Sequence, residues 1–198
     1  MESKRQDYLN AVQKQLETNI FYHSLALEAC MSAIYDHLDK SGQLKSHAPP
    51  KSDWLLAGLL HDIDYSGVYK ADHPNKTVEV LTKYGLSISE TVLNIIKAHA
   101  PELTGRQAQN QAEWAIFCAD SLTGLIVAVG LVYPDKKLAN VKVSSVTKRF
   151  LKEPRFASGT RRDEVAMCQN PDGLNISLEN FIQICLLAMQ SIAGNIGL

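Results

Sequence analysis

The chain reads as an all-α protein, a helical bundle with a metal site at its centre. Three observations predict this. Apolar residues recur at helical steps almost throughout, and no run alternates as a strand would over any useful length. Stop signals divide the pattern at residues 42–50, Ser66-Gly67, Gly85, Pro101 and Pro134. Four histidines and two aspartates, His23, His61, Asp62, His73, His99 and Asp120, fall on stretches that otherwise read as buried. A buried imidazole or carboxylate is costly without a partner, and these six groups lie on five separate segments. One bound cation, or a pair, would serve them all.

Each element follows from local signals. A first helix is predicted over 5–18 and a second over 20–39, with Ile20, Leu27, Cys30, Met31, Ile34 and Leu38 as its buried stripe. After the loop at 42–50, a short and very apolar helix runs from about residue 52 and ends near His61-Asp62. Asp72 is placed to cap a helix reaching Tyr84, because Pro74 is tolerated in a first turn, and Gly85 stops it. Ser87-Ile-Ser-Glu90 has the form of a capping box for a helix ending around Pro101. The central helix spans roughly 111–132 and stops at Pro134. Shorter helices follow near 144–152 and 161–169. The last, over 177–193, carries Leu178, Ile182, Cys185, Leu186, Met189 and Ile192. No repeat, low-complexity tract or linker interrupts the chain. One domain is therefore expected over 1–198, with its core at about 20–132 and a C-terminal helical extension at about 140–198.

Composition narrows the function classes. The 198 residues are 45% apolar, enough for a sizeable core, and carry a formal net charge of −1. That balance argues against nucleic acid and against a membrane surface as partners. The basic residues are uneven, however. Lys142, Lys148, Arg149, Lys152, Arg155, Arg161 and Arg162 face one acid, Glu153, across 142–162, an excess of six that leaves −7 for the remainder. Cys30, Cys118, Cys168 and Cys185 are far apart in apolar patterns and read as reduced core thiols. No apolar leader opens the chain, so a cytoplasmic location is expected. Residues 115–133 imitate a membrane span with Asp120 as their single charge. A carboxylate at mid-membrane costs roughly 3 kcal/mol, so a central bundle helix, apolar all round, is the better reading.

The candidate ligands differ in weight. His23 lies on the apolar stripe of its helix, three residues after Ile20 and four before Leu27; its bland alternative is a core histidine bonded to a carbonyl. His61 and Asp62 close an apolar helix, where neighbours about 100° apart can both lean toward one point. His99 continues the stripe of Ile88, Val92 and Ile95, while His73, in a first turn, can simply face water. Asp120 shares a face with Ile116, Thr123 and Val127, and no Lys or Arg occurs between Arg106 and Lys136 to neutralise it. His37 and His47 act as internal controls: His37 is about 21 Å along the helix from His23, and His47 lies in a polar loop.

The ordered pattern His, His-Asp, Asp resembles the HD-domain superfamily of metal-dependent phosphohydrolases, and the added His73 and His99 resemble those of its two-metal members. Gly58-Leu-Leu-His-Asp-Ile-Asp-Tyr65 is similar to the surroundings of the HDIG-type motif. Ala119-Asp-Ser-Leu-Thr-Gly124, Val146-Thr-Lys-Arg-Phe150 and Phe156-Ala-Ser-Gly159 look like a subfamily of small stand-alone members. The resemblance implies a helical bundle in which His23, His61, Asp62 and Asp120 hold a first metal, and His73 and His99 a second, with Asp62 bridging. Two departures stand out. The Gly of HDIG is Asp64 here, and no Glu follows the His-Asp pair at the spacing some family nucleotidases use for a general acid. Asp64 either takes that role beside Asp62 as a catalytic residue or points elsewhere.

Such a donor set suits one or two divalent ions of Mn, Fe, Co, Ni or Zn. A bound ion lowers the pKa of its water toward about 7, making hydroxide available for attack on phosphorus. Lys142, Lys148 and Arg161 are the candidates to hold a substrate phosphate; the alternative for most of the basic segment is a solvated face. The expected function is therefore a metal-dependent phosphohydrolase acting on a small phosphate ester, a nucleotide among the options, with a homodimer left open. Two alternatives share the ligands: a di-iron oxygenase on the same fold, and a non-catalytic metal- or nucleotide-binding module. No Gly-rich phosphate loop, serine-nucleophile motif or Cys-His pair competes with these readings.

Overall fold

The computed structural model describes residues 2–198, and among them there are ten α-helices and no strand. These are α1 (Glu2–Gln15), α2 (Thr18–Lys40), α3 (Lys51–Leu60), α4 (Thr77–Lys83), α5 (Glu90–Lys97), α6 (Pro101–Thr104), α7 (Gln111–Leu131), α8 (Val143–Lys152), α9 (Arg162–Ala166) and α10 (Leu178–Ser191). The long helices α2 and α7 pack on each other. Helices α3 and α10 flank α2, α5 rests on α3 and α7, and α8 and α9 cover α7. One hydrophobic core runs from Ala11 to Ile196, so the C-terminal helices share the core of the rest.

Helix α7 is long and apolar enough to cross a membrane, yet fourteen of its 21 residues are buried against other helices. The four cysteines are free and buried. The N-terminus of α7 is anchored on both sides. Asn110 caps it by accepting the amide of Glu113 at 3.1 Å, and the buried Glu113 carboxylate receives two hydrogen bonds from Arg106, at 3.2 and 2.7 Å. Close approach decides how α3 meets α2. A Cβ added to Gly58 would lie 2.9 Å from the Cα and 3.0 Å from the backbone nitrogen of Glu28, so only a glycine lets these helices come together at this point. The Glu28 carboxylate itself takes both guanidinium bonds of Arg5, each 2.7 Å, and ties α1 down.

Two predicted helix starts need correction. Asp72 does not cap a helix; residues Gly67–Asp72 form a 3-10 helix, and α4 begins only at Thr77 with Lys76 as its N-cap. The reason is a distant carboxylate: Asp64 accepts the amide of Lys76 at 2.7 Å and replaces the local cap. Ser89, not Ser87, caps α5, accepting the amide of Val92 at 3.2 Å. That helix ends at Lys97, and Pro101 opens the separate turn α6, closed by Gly105 at φ 72°. The first helix stops at Gln15 instead of 18, and 161–169 divides into α9 and the 3-10 turn Met167–Gln169.

The basic segment has one structural member. Arg162 donates to the carbonyls of Phe150 (3.0 Å), Phe156 (2.6 Å), Glu153 (3.3 Å) and Arg149 (3.5 Å). A helix C-terminus leaves carbonyls without intrahelical partners, and a guanidinium supplies several donors at once. This staple folds residues 153–161 back over the end of α8, which carries the neighbouring Arg161 toward α7.

Candidate metal centre

Two helix ends, one helix interior and one connection aim imidazoles at one point. His61 follows the last turn of α3 and His99 the last turn of α5. Each donates its Nδ1–H to a carbonyl three residues back, His61 to Gly58 at 3.0 Å and His99 to Ile96 at 2.5 Å. Those oxygens belong to the partnerless set at a helix C-terminus. His23, inside α2, meets Thr123 of α7, whose hydroxyl donates to the Asp120 carbonyl at 2.7 Å and so accepts from His23 Nδ1 at 2.9 Å. His73 donates its Nδ1–H to Asp64 Oδ1 at 2.6 Å. In all four rings an acceptor takes the Nδ1–H and turns Nε2 inward; without a metal, His23 Nε2 carries a second proton to Asp120 Oδ1 at 2.9 Å, which a cation would displace.

The inward atoms lie close together. His23 Nε2 is 3.1 Å from His61 Nε2, which is 3.2 Å from Asp62 Oδ2. Asp120 Oδ1 flanks this triplet, 2.9 Å from His23 Nε2 and 3.7 Å from His61 Nε2. On the other side His73 Nε2 is 3.1 Å from His99 Nε2 and 3.4 Å from Asp62 Oδ1. His23, His61 and Asp62 form one compact donor triplet, and Asp62, His73 and His99 a second, with the two oxygens of Asp62 turned to different triplets.

The donors fit divalent cations. Bonds of about 2.1 Å at angles of 90–110° put neighbouring donor atoms about 3.0–3.4 Å apart, close to the spacings found here. His73 and His99 commit their Nδ1–H groups elsewhere and face each other through Nε2 at 3.1 Å, a repulsion that a cation between them would relieve. Charge agrees: Asp62, Asp64 and Asp120 bring three negative charges, and Arg161, bonded to Asp120 Oδ2 at 2.8 Å, brings one positive. Burial alone would raise Asp120, but the hydrogen bond from His23 and the surrounding His23, His61 and His99 imidazoles hold it well below the usual carboxylate range. Asp62 is buried too and is likewise lowered, by His61 and His23. Desolvation, with His61 next in weight, pushes His99 down to about 4. His23 moves the other way: burial opposes its protonation, but Asp120 and Asp62 outweigh that and raise it.

All six residues singled out in the sequence are thus brought together, His73 included, while His37 and His47 stand outside the cluster. A cleft of about 300 Å³ opens onto the first triplet, lined by His23, Asp120, Ser121, Gly124, the 157–160 loop and Arg161. Of the three basic candidates Arg161 lines this cleft, and Lys142 and Lys148 do not. Lys142 precedes α8 on the surface, and Lys148 pairs with Glu153 at 3.6 Å. Asp64 also needs correction as a catalytic acid, because it is fully buried with one oxygen on His73 and the other on the Lys76 amide. Thr123 shares the helical face of Asp120, and a hydroxyl one turn along from a buried carboxylate is the signal in the sequence for its part in the site. The Phe156-Ala-Ser-Gly159 stretch that the family resemblance points to supplies part of this wall.

The protein-family model described as HD domain matches residues 20–125. No curated protein matches the chain, and no solved structure does. HD domains bind divalent metals and are mostly metal-dependent hydrolases. The matched span is more than half of the 198 residues and contains every member of both donor triplets and Asp120, so the chain belongs to the HD domain family.

Proposed function

We propose that this protein is a metal-dependent phosphohydrolase acting on a small phosphate ester. The observation that carries the reading is the convergence of four imidazole Nε2 atoms and two carboxylates beside an open cleft with an arginine at its edge. His23, His61, Asp62 and Asp120 would hold one divalent cation, and Asp62, His73 and His99 a second. Cations of this kind supply Lewis acidity and a water of lowered pKa. The chain's own residues do the remaining work. Asp62 and Asp120 stay ionised at neutral pH and keep the donor set anionic. Thr123 and the two helix-end carbonyls hold the rings in their orientation. Arg161 offers positive charge where a phosphate would enter: Nη2 is held by Asp120, Nε by Glu164 at 2.6 Å, and Nη1 makes no hydrogen bond among the described residues. Serine and threonine hydroxyls at Ser121, Ser158 and Thr160 line the same cleft. Its volume lies at the small end of ligand sites, which favours a compact ester or a mononucleotide over a polymer.

The test is phosphate release from a panel of nucleotides and simple phosphoesters by protein loaded with Mn, Fe, Co, Ni or Zn. Turnover of at least one ester is expected, abolished in His61→Ala, and Arg161→Ala is expected to weaken inhibition by inorganic phosphate. No release from any ester, with His61→Ala indistinguishable from wild type, would overturn the proposal. Oxygen uptake by iron-loaded protein with no phosphate release would assign the same ligands to oxidation instead.

A further inference from the structure

Asp64 stands where the HDIG-type pattern has glycine, and its surroundings give it a specific task. It is fully buried, two residues beyond Asp62 in the turn that follows α3. Its salt-bridge partner is His73, and no lysine or arginine nitrogen lies within bonding reach of it among the described residues. Oδ1 accepts the Nδ1–H of His73 at 2.6 Å and Oδ2 accepts the backbone amide of Lys76 at 2.7 Å. One carboxylate therefore grips both ends of the 73–76 turn.

The other three rings show why His73 needs this. His61 and His99 borrow carbonyls from the helices they terminate, and His23 borrows the hydroxyl of Thr123 on the packed helix beside it. His73 lies between a 3-10 helix and α4, at φ −56° and ψ 139°, with no helix-end carbonyl facing its ring. A ring on such a connection would otherwise choose its own rotamer and tautomer.

We infer that Asp64 is the positioning residue of the second cation site: it fixes His73 with the proton on Nδ1, so that Nε2 joins His99 and Asp62 as a donor. This rests on the metal-binding part of the reading above. A carboxylate behind a ligating imidazole also makes that ring a stronger donor, and losing such a partner typically weakens metal affinity about 10–100-fold. Asparagine is nearly isosteric but cannot accept from both groups. Whichever way its amide turns, an NH2 faces either the His73 N–H or the Lys76 N–H.

The experiment is a manganese titration of metal-free protein, followed by bound stoichiometry, for wild type, Asp64→Asn and His99→Ala. Wild type is expected to take up two ions per chain. Asp64→Asn should keep the first and lose about 10–100-fold in affinity for the second, and His99→Ala should lose the second with Asp64 intact. A folded Asp64→Asn that binds both ions as wild type does overturns the inference, as does a wild type that binds a single ion. If Asp64→Asn does not fold, nitrogen-15 NMR of histidines in metal-free wild type decides. An exchange-protected proton on His73 Nδ1 supports the role, and a proton on Nε2 overturns it. None of these readouts requires turnover, so the absence of phosphatase activity would sink the proposed function and leave this inference standing or falling by itself.

Discussion

At the scale of single residues, a metal entering this centre would compete with protons for the same nitrogen atoms. His99, pushed down to about 4 by burial and by His61, is already neutral over the physiological range and has no proton to lose. His23 differs. Burial works against its charge, but the Asp120 hydrogen bond and the nearby Asp62 raise it above its ordinary 6.5. The sign follows. In the metal-free protein the His23 proton adds stability that is fully present below about pH 6.5 and is lost as pH climbs through the raised value. Metal requires the unprotonated ring, so binding must expel this proton. Apparent affinity is therefore expected to rise with pH from about 6 and to level off once His23 titrates, with about one proton released per first-site ion. Calorimetric titrations in two buffers of different ionisation enthalpy measure that proton. An affinity independent of pH between about 6 and 8 would remove His23 from the first site.

At the scale of elements, the metal centre depends on how closely α3 sits on α2, and Gly58 sets that distance. An alanine Cβ there would meet the backbone of Glu28, which cannot swing aside as a side-chain tip can. Gly58→Ala is expected to cost about 1–3 kcal/mol, more than the helix-propensity gain of roughly 1 kcal/mol. Because His61 ends α3 and His23 rides on α2, the same shift should part their Nε2 atoms and weaken first-site metal binding. Gly130→Ala is the control: its nearest neighbour is the flexible tip of Leu138 at 3.3 Å, so stability should change little and metal affinity not at all. Melting curves and metal titrations of the two variants test the pair; equal behaviour would refute the role given to Gly58. The elements also show what a sequence can reveal. Helices α2, α3, α7 and α10 were legible because each buries a stripe or a whole surface, and period is a local property. The 67–76 stretch was not. Asp72 followed closely by Pro74 has the look of a helix start, but the acceptor that captures the Lys76 amide is Asp64, twelve residues back. The six clustered residues could be gathered from their shared conflict with an apolar setting. The pairing of Asp120 with Arg161, 41 residues apart, carries no such local mark.

At the scale of the whole molecule, a cation held at this centre would add to the stability of the fold. Its donors come from α2, the end of α3, the connection before α4, the end of α5 and the middle of α7, elements that otherwise touch through apolar packing. Without a cation, the centre keeps Asp62, Asp64 and Asp120 against Arg161 alone, apart from whatever proton His23 retains. A ligand that binds the folded state stabilises it by mass action, by about 2.7 kcal/mol when present at a hundred times its Kd. For a chain of this length that corresponds to a rise in melting temperature of about 5–10 °C. The unfolded chain scatters the ligands and competes weakly, so most of that gain should be seen. Manganese at saturating concentration is thus expected to raise the melting temperature, and a chelator to reverse it. His61→Ala should lose the part of the shift that comes from the first ion and keep the part from the second, and Arg162→Ala, which loosens the 153–161 segment without replacing a ligand, should melt lower yet still shift with metal. A wild-type melting temperature unmoved by any of the five candidate metals would mean that the four imidazoles hold no cation in solution.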